Sequence, residues 1–199
     1  VSALEAGQRF GIGAATLTMF VVLQLAVYAG AQVPAGILLD RFGSRWLIVT
    51  GVLLMSLGQL AIAEVSTLSL AVTARALIGL GDALTFISVI RLIPNWFSGQ
   101  RIPQVTQITW VCGQLGQVLS AIPFLALLGV AGWTQSHIAV AAFVALAAIL
   151  ALIVIRDSPD AAGQREHSGD TVLPDLKLAW RSAGSRLGFF AHMGAQFSV

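Results

Sequence analysis

Residues 36–45 read Gly36-Ile-Leu-Leu-Asp-Arg-Phe-Gly-Ser-Arg45, and they place three charged side chains, Asp40, Arg41 and Arg45, within six positions. Long apolar runs, 14–39 and 46–63, lie on either side of them. Each run is close to the roughly 20 residues that an α-helix needs to cross a bilayer. The pattern therefore predicts two membrane helices joined by a short, charged turn.

Composition supports a membrane protein throughout. The chain has 199 residues, of which 57% are hydrophobic and 10% charged, whereas soluble domains carry about 25% charged residues. The basic residues fall between apolar runs and form no basic face, so we expect no nucleic-acid partner. The single cysteine, Cys112, cannot form a disulfide framework or a metal cluster. No phosphate-binding loop or catalytic set is recognisable, so we expect neither an enzyme nor a cofactor.

The apolar runs predict an all-α, polytopic transmembrane helix bundle, because backbone groups in lipid must be hydrogen-bonded within the helix. A charged segment, 156–186, follows the bundle and is interpreted as a solvated connector. A further apolar run, 187–199, is interpreted as the start of another span. The predicted spans of the bundle, which occupies 1–155, are 14–39, 46–63, 68–93, 103–128 and 133–155.

The basic residues alternate between the two sides of this bundle. Nine of the eleven lie in loops or helix ends on one side: Arg41, Arg45, Arg91, Arg101, Arg156, Arg165, Lys177, Arg181 and Arg186. The positive-inside rule makes that side cytoplasmic. We therefore expect an integral protein of the plasma membrane, with the connector in the cytoplasm.

The motifs resemble those of the major facilitator superfamily. Residues 36–45 are similar to the loop between helices two and three of these carriers. The pattern Arg75-x-x-x-Gly79-x-Gly81 is similar to the helix-four motif, and Gly132-Trp133 resembles the start of helix six. The resemblance implies that the five spans are helices two to six and that 187–199 begins helix seven. It also implies that helix one and the second half of the carrier, which lie elsewhere, complete the protein.

The same resemblance implies that the first loop is a conformational latch. Its residues here are Gly36, Asp40, Arg41, Gly43 and Arg45. Independently of the family, Asp40 stands at the carboxyl end of a helix, where the helix dipole disfavours an anion. We therefore expect a cationic partner for it, either Arg45 or Arg91. The alternative is that Arg41 and Arg45 only fix the topology.

Two charges lie inside the span 68–93. Arg75 and Asp82 are seven residues apart and share roughly one helix face, with Asp82 near the membrane midplane. Charges at such depth usually face a cavity or a partner. We interpret them as contacts to a solute or a proton; the alternative is a structural anchor between helices.

Polar side chains also recur at helical spacing. Gln24, Tyr28 and Gln32 form one stripe, and Gln107, Trp110, Gln114 and Gln117 form another. These stripes either line a solute pathway or bond helices together, and the second reading is favoured. His192, in the start of helix seven, is a further candidate for solute or proton contact. His137 and His167 are expected to be solvated.

These observations favour secondary active transport of a small solute by alternating access, with protons as a candidate coupling ion through Asp82. The segment 113–117 lacks the Gly-Pro motif common in drug-exporting antiporters of the family, which slightly favours uptake. The alternative is a transport-inactive membrane module that binds a solute or signals, or a gene remnant.

Overall fold

The computed structural model describes residues 14–65, 67–157 and 181–182. The chain divides into two units, Val1–Gln164 and Arg165–Val199, and the helices below belong to the first. The predicted sixth run, with His192, and most of the connector lie outside the described residues. The described helices are α1 (Ala14–Phe42), α2 (Ser44–Glu64), α3 (Leu68–Trp96) and α4 (Arg101–Val154).

α4 is continuous in its hydrogen bonding, but it consists of two helices that run in different directions. Gly132 interrupts it with φ 75° and ψ −178°, outside helical geometry. We call the part before it limb A (101–131) and the part after it limb B (133–154). The Phe124 and His137 rings, one on each limb, lie 5.4 Å apart, so the limbs fold back on each other. The predicted runs 103–128 and 133–155 correspond to these limbs.

The resulting helices alternate in direction and define two ends of the bundle. The Asp40 end is where α1, α3 and limb B finish and α2 begins. The Glu64 end is where α2 finishes, α3 begins and the limbs meet at Gly132. In the part of the chain that the structure describes, four helices are long and apolar enough to cross a membrane, and the 54-residue α4 is the most apolar of them.

α2 and α3 pack most closely because glycines line their contact. A side chain at Gly51 would meet Gly81 O and Thr85 Oγ1 at 2.6 and 2.5 Å, and one at Gly81 would collide with Gly51 O. Each glycine thus faces the backbone of the other helix. Small residues at helix contacts are the usual means of close packing in membranes, where the hydrophobic effect does not drive association.

α1 joins this pair through α3. Ala35 and Leu39 of α1 form one buried cluster with Leu47 and Leu84. Nearer the Glu64 end, a side chain at Gly79 would lie 2.7 Å from Gln24 O. Gly36, in contrast, would meet only Ile87 Cδ1 at 3.8 Å, an ordinary contact. Among the described residues, no neighbouring helix therefore approaches Gly36 closely.

Limb B packs along α2, whereas limb A is largely exposed. Ser56 of α2 donates a hydrogen bond to Ala141 O of limb B at 2.9 Å. His137, expected to be solvated, is instead 4% exposed. Its ring lies 4.2 Å from that of Trp133, and its Nδ1 is 2.9 Å from Trp133 O. A helix-end histidine is buried here because the fold-back of the limbs encloses it.

Candidate functional site

Asp40, at the carboxyl end of α1, forms an ion pair with Arg91 of α3. The carboxylate oxygen Oδ1 lies 3.2 Å from Arg91 Nη2, and both side chains are more than half exposed. Of the two cations considered for Asp40, Arg91 is thus the partner. An exposed pair of this kind stabilises a fold by at most about 1 kcal/mol, so it is easily broken and re-formed.

Arg45 is used elsewhere, and it links α2 to the end of limb B. Its guanidinium Nη2 donates to Leu152 O at 2.6 Å, one of the last carbonyls of α4 that lack a helical partner. Its backbone N–H donates to Asp157 Oδ1 at 2.7 Å. A cation therefore lies at the carboxyl end of limb B and an anion at the amino end of α2, the arrangement that both helix dipoles favour.

Gly43 allows Asp157 to reach the amino end of α2. It has φ +80°, a conformation that L side chains rarely adopt, and a side chain there would lie 3.0 Å from Asp157 Oδ2. α2 begins immediately after it and has no capping side chain of its own. Glycine is thus needed both for the turn and for the space that the carboxylate of Asp157 occupies.

The end of α3 also binds the segment after limb B. Asn95 Nδ2 donates to Asp157 O at 3.0 Å, and Trp96 Nε1 donates to Arg156 O at 2.9 Å. Three parts of the chain therefore converge at the Asp40 end: the α1–α2 turn, the end of α3 and residues 155–157. Arg41, the other basic residue of the loop, is exposed and lies over the ring of Phe42.

The Glu64 end of α2 is held by neutral donors. Trp133 Nε1 donates to Ile62 O and Thr134 Oγ1 donates to Ala63 O, both at 3.0 Å. These carbonyls belong to the last turn of α2, where helical partners are lacking. Limb B thus caps the carboxyl end of α2, while Asp157, three residues after limb B, caps its amino end.

A polar face lies between α1 and α3. Gln24 Oε1 is 3.5 Å from Arg75 Nη1, at the limit of a hydrogen bond, and both residues are half-buried. Among the described residues, no carboxylate lies within ion-pair distance of Arg75. The stripe on α1 and the arginine on α3 are therefore brought together, with the guanidinium held by an amide rather than neutralised.

Asp82 lies two turns further along the same face of α3 and is exposed. Beyond it, the Phe86 ring lies 6.2 Å from that of Tyr28 and 5.3 Å from that of Trp110 on limb A. These three aromatic rings connect α1, α3 and limb A on the Asp40 side of Asp82.

The remaining predicted positions are more scattered. Gln32 is half-buried on α1, while Gln114 and Gln117 are exposed on limb A. Gln104 and Gln107 border a separate shallow cavity of about 440 Å³ on the same limb.

Sequence reasoning missed two contributors. Asp157 was assigned to a solvated connector, although it is half-buried and caps α2. Asp157 lies three residues after limb B, beside the helix end that Arg45 contacts. This position indicates a capping role only when the fold is known. Phe86 was not singled out, yet it follows Asp82 by four residues, the spacing that keeps two side chains on one helix face.

Comparisons with known proteins identify the family. The model of the Major Facilitator Superfamily matches residues 1–199. The probable nitrate/nitrite transporter NarK2 of Mycobacterium tuberculosis is 31% identical over 172 residues, which cover 85% of this chain and 42% of that protein. The probable sulfoacetate transporter SauU of Cupriavidus necator is 23% identical over 159 residues, covering 80% of this chain and 36% of the relative. The chain thus spans less than half the length of these curated relatives. With a helical bundle whose apolar helices can cross a membrane, it is an integral membrane protein and belongs to the major facilitator superfamily.

Proposed function

We propose that the full-length protein containing this chain carries a small anionic solute across the membrane by alternating access. The observation that carries the proposal is the half-buried Arg75 of α3, whose guanidinium lies within hydrogen-bond reach of the Gln24 amide of α1. The names of the two relatives, a nitrate/nitrite and a sulfoacetate transporter, support an oxyanion as the solute.

Arg75 is suited to this role by its chemistry. A guanidinium offers five N–H donors in a planar fork that matches the oxygens of an oxyanion. Gln24 engages one of its nitrogens and fixes its direction without cancelling its charge. An incoming anion would then complete the hydrogen bonding of a cation that is costly to leave unpaired within a membrane.

Asp82 is the proposed coupling group. It is the carboxylate on the same face of α3, nearer the membrane midplane, and its side chain is exposed. In this mechanism it takes up a proton from one side and releases it on the other, so that an anion and a proton move together. Co-transport of this kind accords with uptake rather than export, the direction that the sequence slightly favours.

The Asp40 end serves as the cytoplasmic latch in this proposal. The Asp40–Arg91 pair is exposed and weak, whereas Arg45 and Asp157 fasten α2 to limb B. Such a division allows the exposed pair to exchange partners as the two halves of the carrier rock, while the helices beneath keep their packing.

Anion transport is tested with nitrite and the full-length protein in liposomes. Internal nitrite is measured colorimetrically, beside empty liposomes and a neutral solute. We expect saturable uptake of nitrite and a reduction of about tenfold or more in Arg75→Gln, the size expected when a charge-assisted hydrogen bond is lost. Arg101→Gln, an exposed arginine at the start of limb A, is the matched control and should transport normally. Nitrite binding without flux in the unaltered protein would favour the binding-module alternative.

Proton coupling is tested separately with Asp82→Asn. We expect the unaltered protein to accumulate nitrite when a proton gradient is imposed, and the variant to equilibrate nitrite without accumulation. If Asp82→Asn accumulates nitrite across the same pH range, the coupling role of Asp82 is wrong, while anion transport itself stands.

A further inference from the structure

A groove of about 320 Å³ lies at the Asp40 end, away from the polar face. α3 supplies Val89, Leu92 and Trp96 to its wall, limb A supplies Thr109, and the end of limb B supplies Val154 and Arg156. It is elongated along the helices, because its lining runs over two turns of α3, from Val89 to Trp96.

The groove combines an apolar wall with one charge. Among the described residues that line it, Arg156 alone has a formal charge, and it lies at the helix terminus, where limb B has ended. Its side chain is exposed, and among the described residues none accepts a hydrogen bond from its guanidinium. The carboxylate of the neighbouring Asp157 is directed instead to the backbone of Arg45.

The wall beside Arg156 is fixed in place. Trp96 Nε1 donates to Arg156 O at 2.9 Å, so the indole joins the end of α3 to the end of limb B. A tryptophan and an arginine at the terminus of apolar helices are typical of the level at which lipid headgroups lie. The apolar part of the groove extends from there toward the bilayer interior.

We propose that this groove binds an anionic phospholipid, with an acyl chain along Val89 and Leu92 and the headgroup phosphate on Arg156. Charge complementarity selects the ligand, because a guanidinium pairs with phosphate in two parallel hydrogen bonds and a zwitterionic headgroup offers no net charge to attract it. Anionic lipids of the cytoplasmic leaflet are drawn to basic residues at helix ends. The inference rests on the membrane placement and is independent of the solute and of the coupling ion.

The test measures lipid retention by native mass spectrometry on the full-length protein, purified in detergent with equal amounts of phosphatidylglycerol and phosphatidylcholine. We expect preferential retention of one phosphatidylglycerol. Arg156→Gln should lower that retention about fivefold, which is the effect of about one basic residue near a charged surface. Arg156→Lys should restore much of it, and Arg101→Gln, which alters an exposed arginine that does not line the groove, should leave it unchanged.

A second variant tests the groove itself. Leu92→Trp fills the apolar wall and should lower phosphatidylglycerol retention while Arg156 is intact. Retention that falls in Arg156→Gln but not in Leu92→Trp would mean a surface charge effect and would overturn the groove site. Equal retention of the two lipids by the unaltered protein would overturn it as well. Because the readout is lipid mass and not flux, a failure here is distinct from a failure of the proposed transport.

Discussion

At both of its ends α2 is bonded to limb B or to the residues just after it, and the contacts at the two ends differ in chemistry. At the Asp40 end, which we call the ionic cap, each hydrogen bond joins a charged side chain to a neutral backbone group: the carboxylate of Asp157 accepts from the backbone of Arg45, and the Arg45 guanidinium donates to Leu152 O. At the Glu64 end they are neutral: Trp133 and Thr134 donate to Ile62 O and Ala63 O. Ionic contacts respond to charge substitution and to salt, whereas neutral hydrogen bonds respond to neither.

This difference indicates at which end of the bundle the side-chain contacts can change. The ionic cap lies beside the exposed Asp40–Arg91 pair, so the charges at that end can be redistributed among several partners. The neutral cap lies beside the buried His137 and the fold-back at Gly132, where an alternative partner would have to be buried too. We therefore expect changes at the Asp40 end to affect both stability and transport, and changes at the Glu64 end to affect stability alone.

The largest effect is expected for Gly43→Ala. The substitution forces a side chain into a positive-φ conformation, at about 1–2 kcal/mol, and it displaces the capping carboxylate of Asp157, at about 1 kcal/mol more. The free energy of unfolding, measured by SDS titration of the full-length protein in micelles, should fall by about 2–3 kcal/mol. Gly99→Ala is the matched control, because Gly99 has φ +58° with open space around it. If both variants lose the same amount, Asp157 does not depend on the space at Gly43.

A somewhat smaller loss is expected for Asp157→Ala. Removal of a capping side chain typically lowers the free energy of unfolding by about 1–2 kcal/mol. Asp157→Asn keeps an oxygen that can accept from Arg45 N and loses only the charge, so it should cost about 0.5 kcal/mol. Added salt should reduce the loss in both variants, because both remove the same charge. A loss that stays the same in both variants at all salt concentrations would contradict an ionic cap.

The neutral cap is probed by Trp133→Phe. The phenyl ring retains the packing but leaves Ile62 O without its donor, and a hydrogen bond of this kind contributes about 1 kcal/mol. The loss should not change between low and high salt, in contrast to the Asp157 variants. Trp46→Phe, at an exposed tryptophan, should change the free energy of unfolding by less than about 0.5 kcal/mol. A salt-dependent loss in Trp133→Phe would remove the distinction between the two ends.

The smallest effect on stability is expected for Asp40→Asn. Because the ion pair with Arg91 is exposed, the free energy of unfolding should change by less than about 1 kcal/mol. The rate of nitrite uptake should nevertheless change severalfold, since a latch acts on the balance between conformations. The exchanged pair Asp40→Arg with Arg91→Asp should recover part of the rate. An unaltered uptake rate in Asp40→Asn would leave Asp40 with a topological role only.

Apolar runs and turn residues were sufficient to predict the helices. The runs 14–39, 46–63 and 68–93 fall within α1, α2 and α3, because a bilayer-length apolar run has no other way to satisfy its backbone. A helix-dipole argument was also sufficient to limit the partner of Asp40 to two arginines, one of which is Arg91. Both inferences depend on interactions between residues close in sequence or on properties that every membrane helix shares.

Contacts between distant parts of the chain were not predictable in the same way. Asp157 caps a helix that begins 112 residues earlier, and in the sequence it is one of several acids in a polar segment. His137 is buried because limb A folds back over it, which depends on the conformation of Gly132 rather than on the surrounding composition. The polar stripe on limb A could be recognised from its helical spacing. The surface that its exposed Gln114 and Gln117 face could not be predicted, because it too depends on how limb A folds back.

The fold-back at Gly132 has a consequence for how the protein is made. From Ile102 to Ile155 the chain contains no aspartate, glutamate, lysine or arginine, and its flanking charges are Arg101 and Arg156. A translocon therefore receives a segment of about twice the usual span length that carries no formal charge to mark where one helix should stop. The backbone conformation at Gly132, beside the polar residues 134–137, provides that mark, and the two limbs should enter the bilayer together as a paired hairpin rather than one after the other.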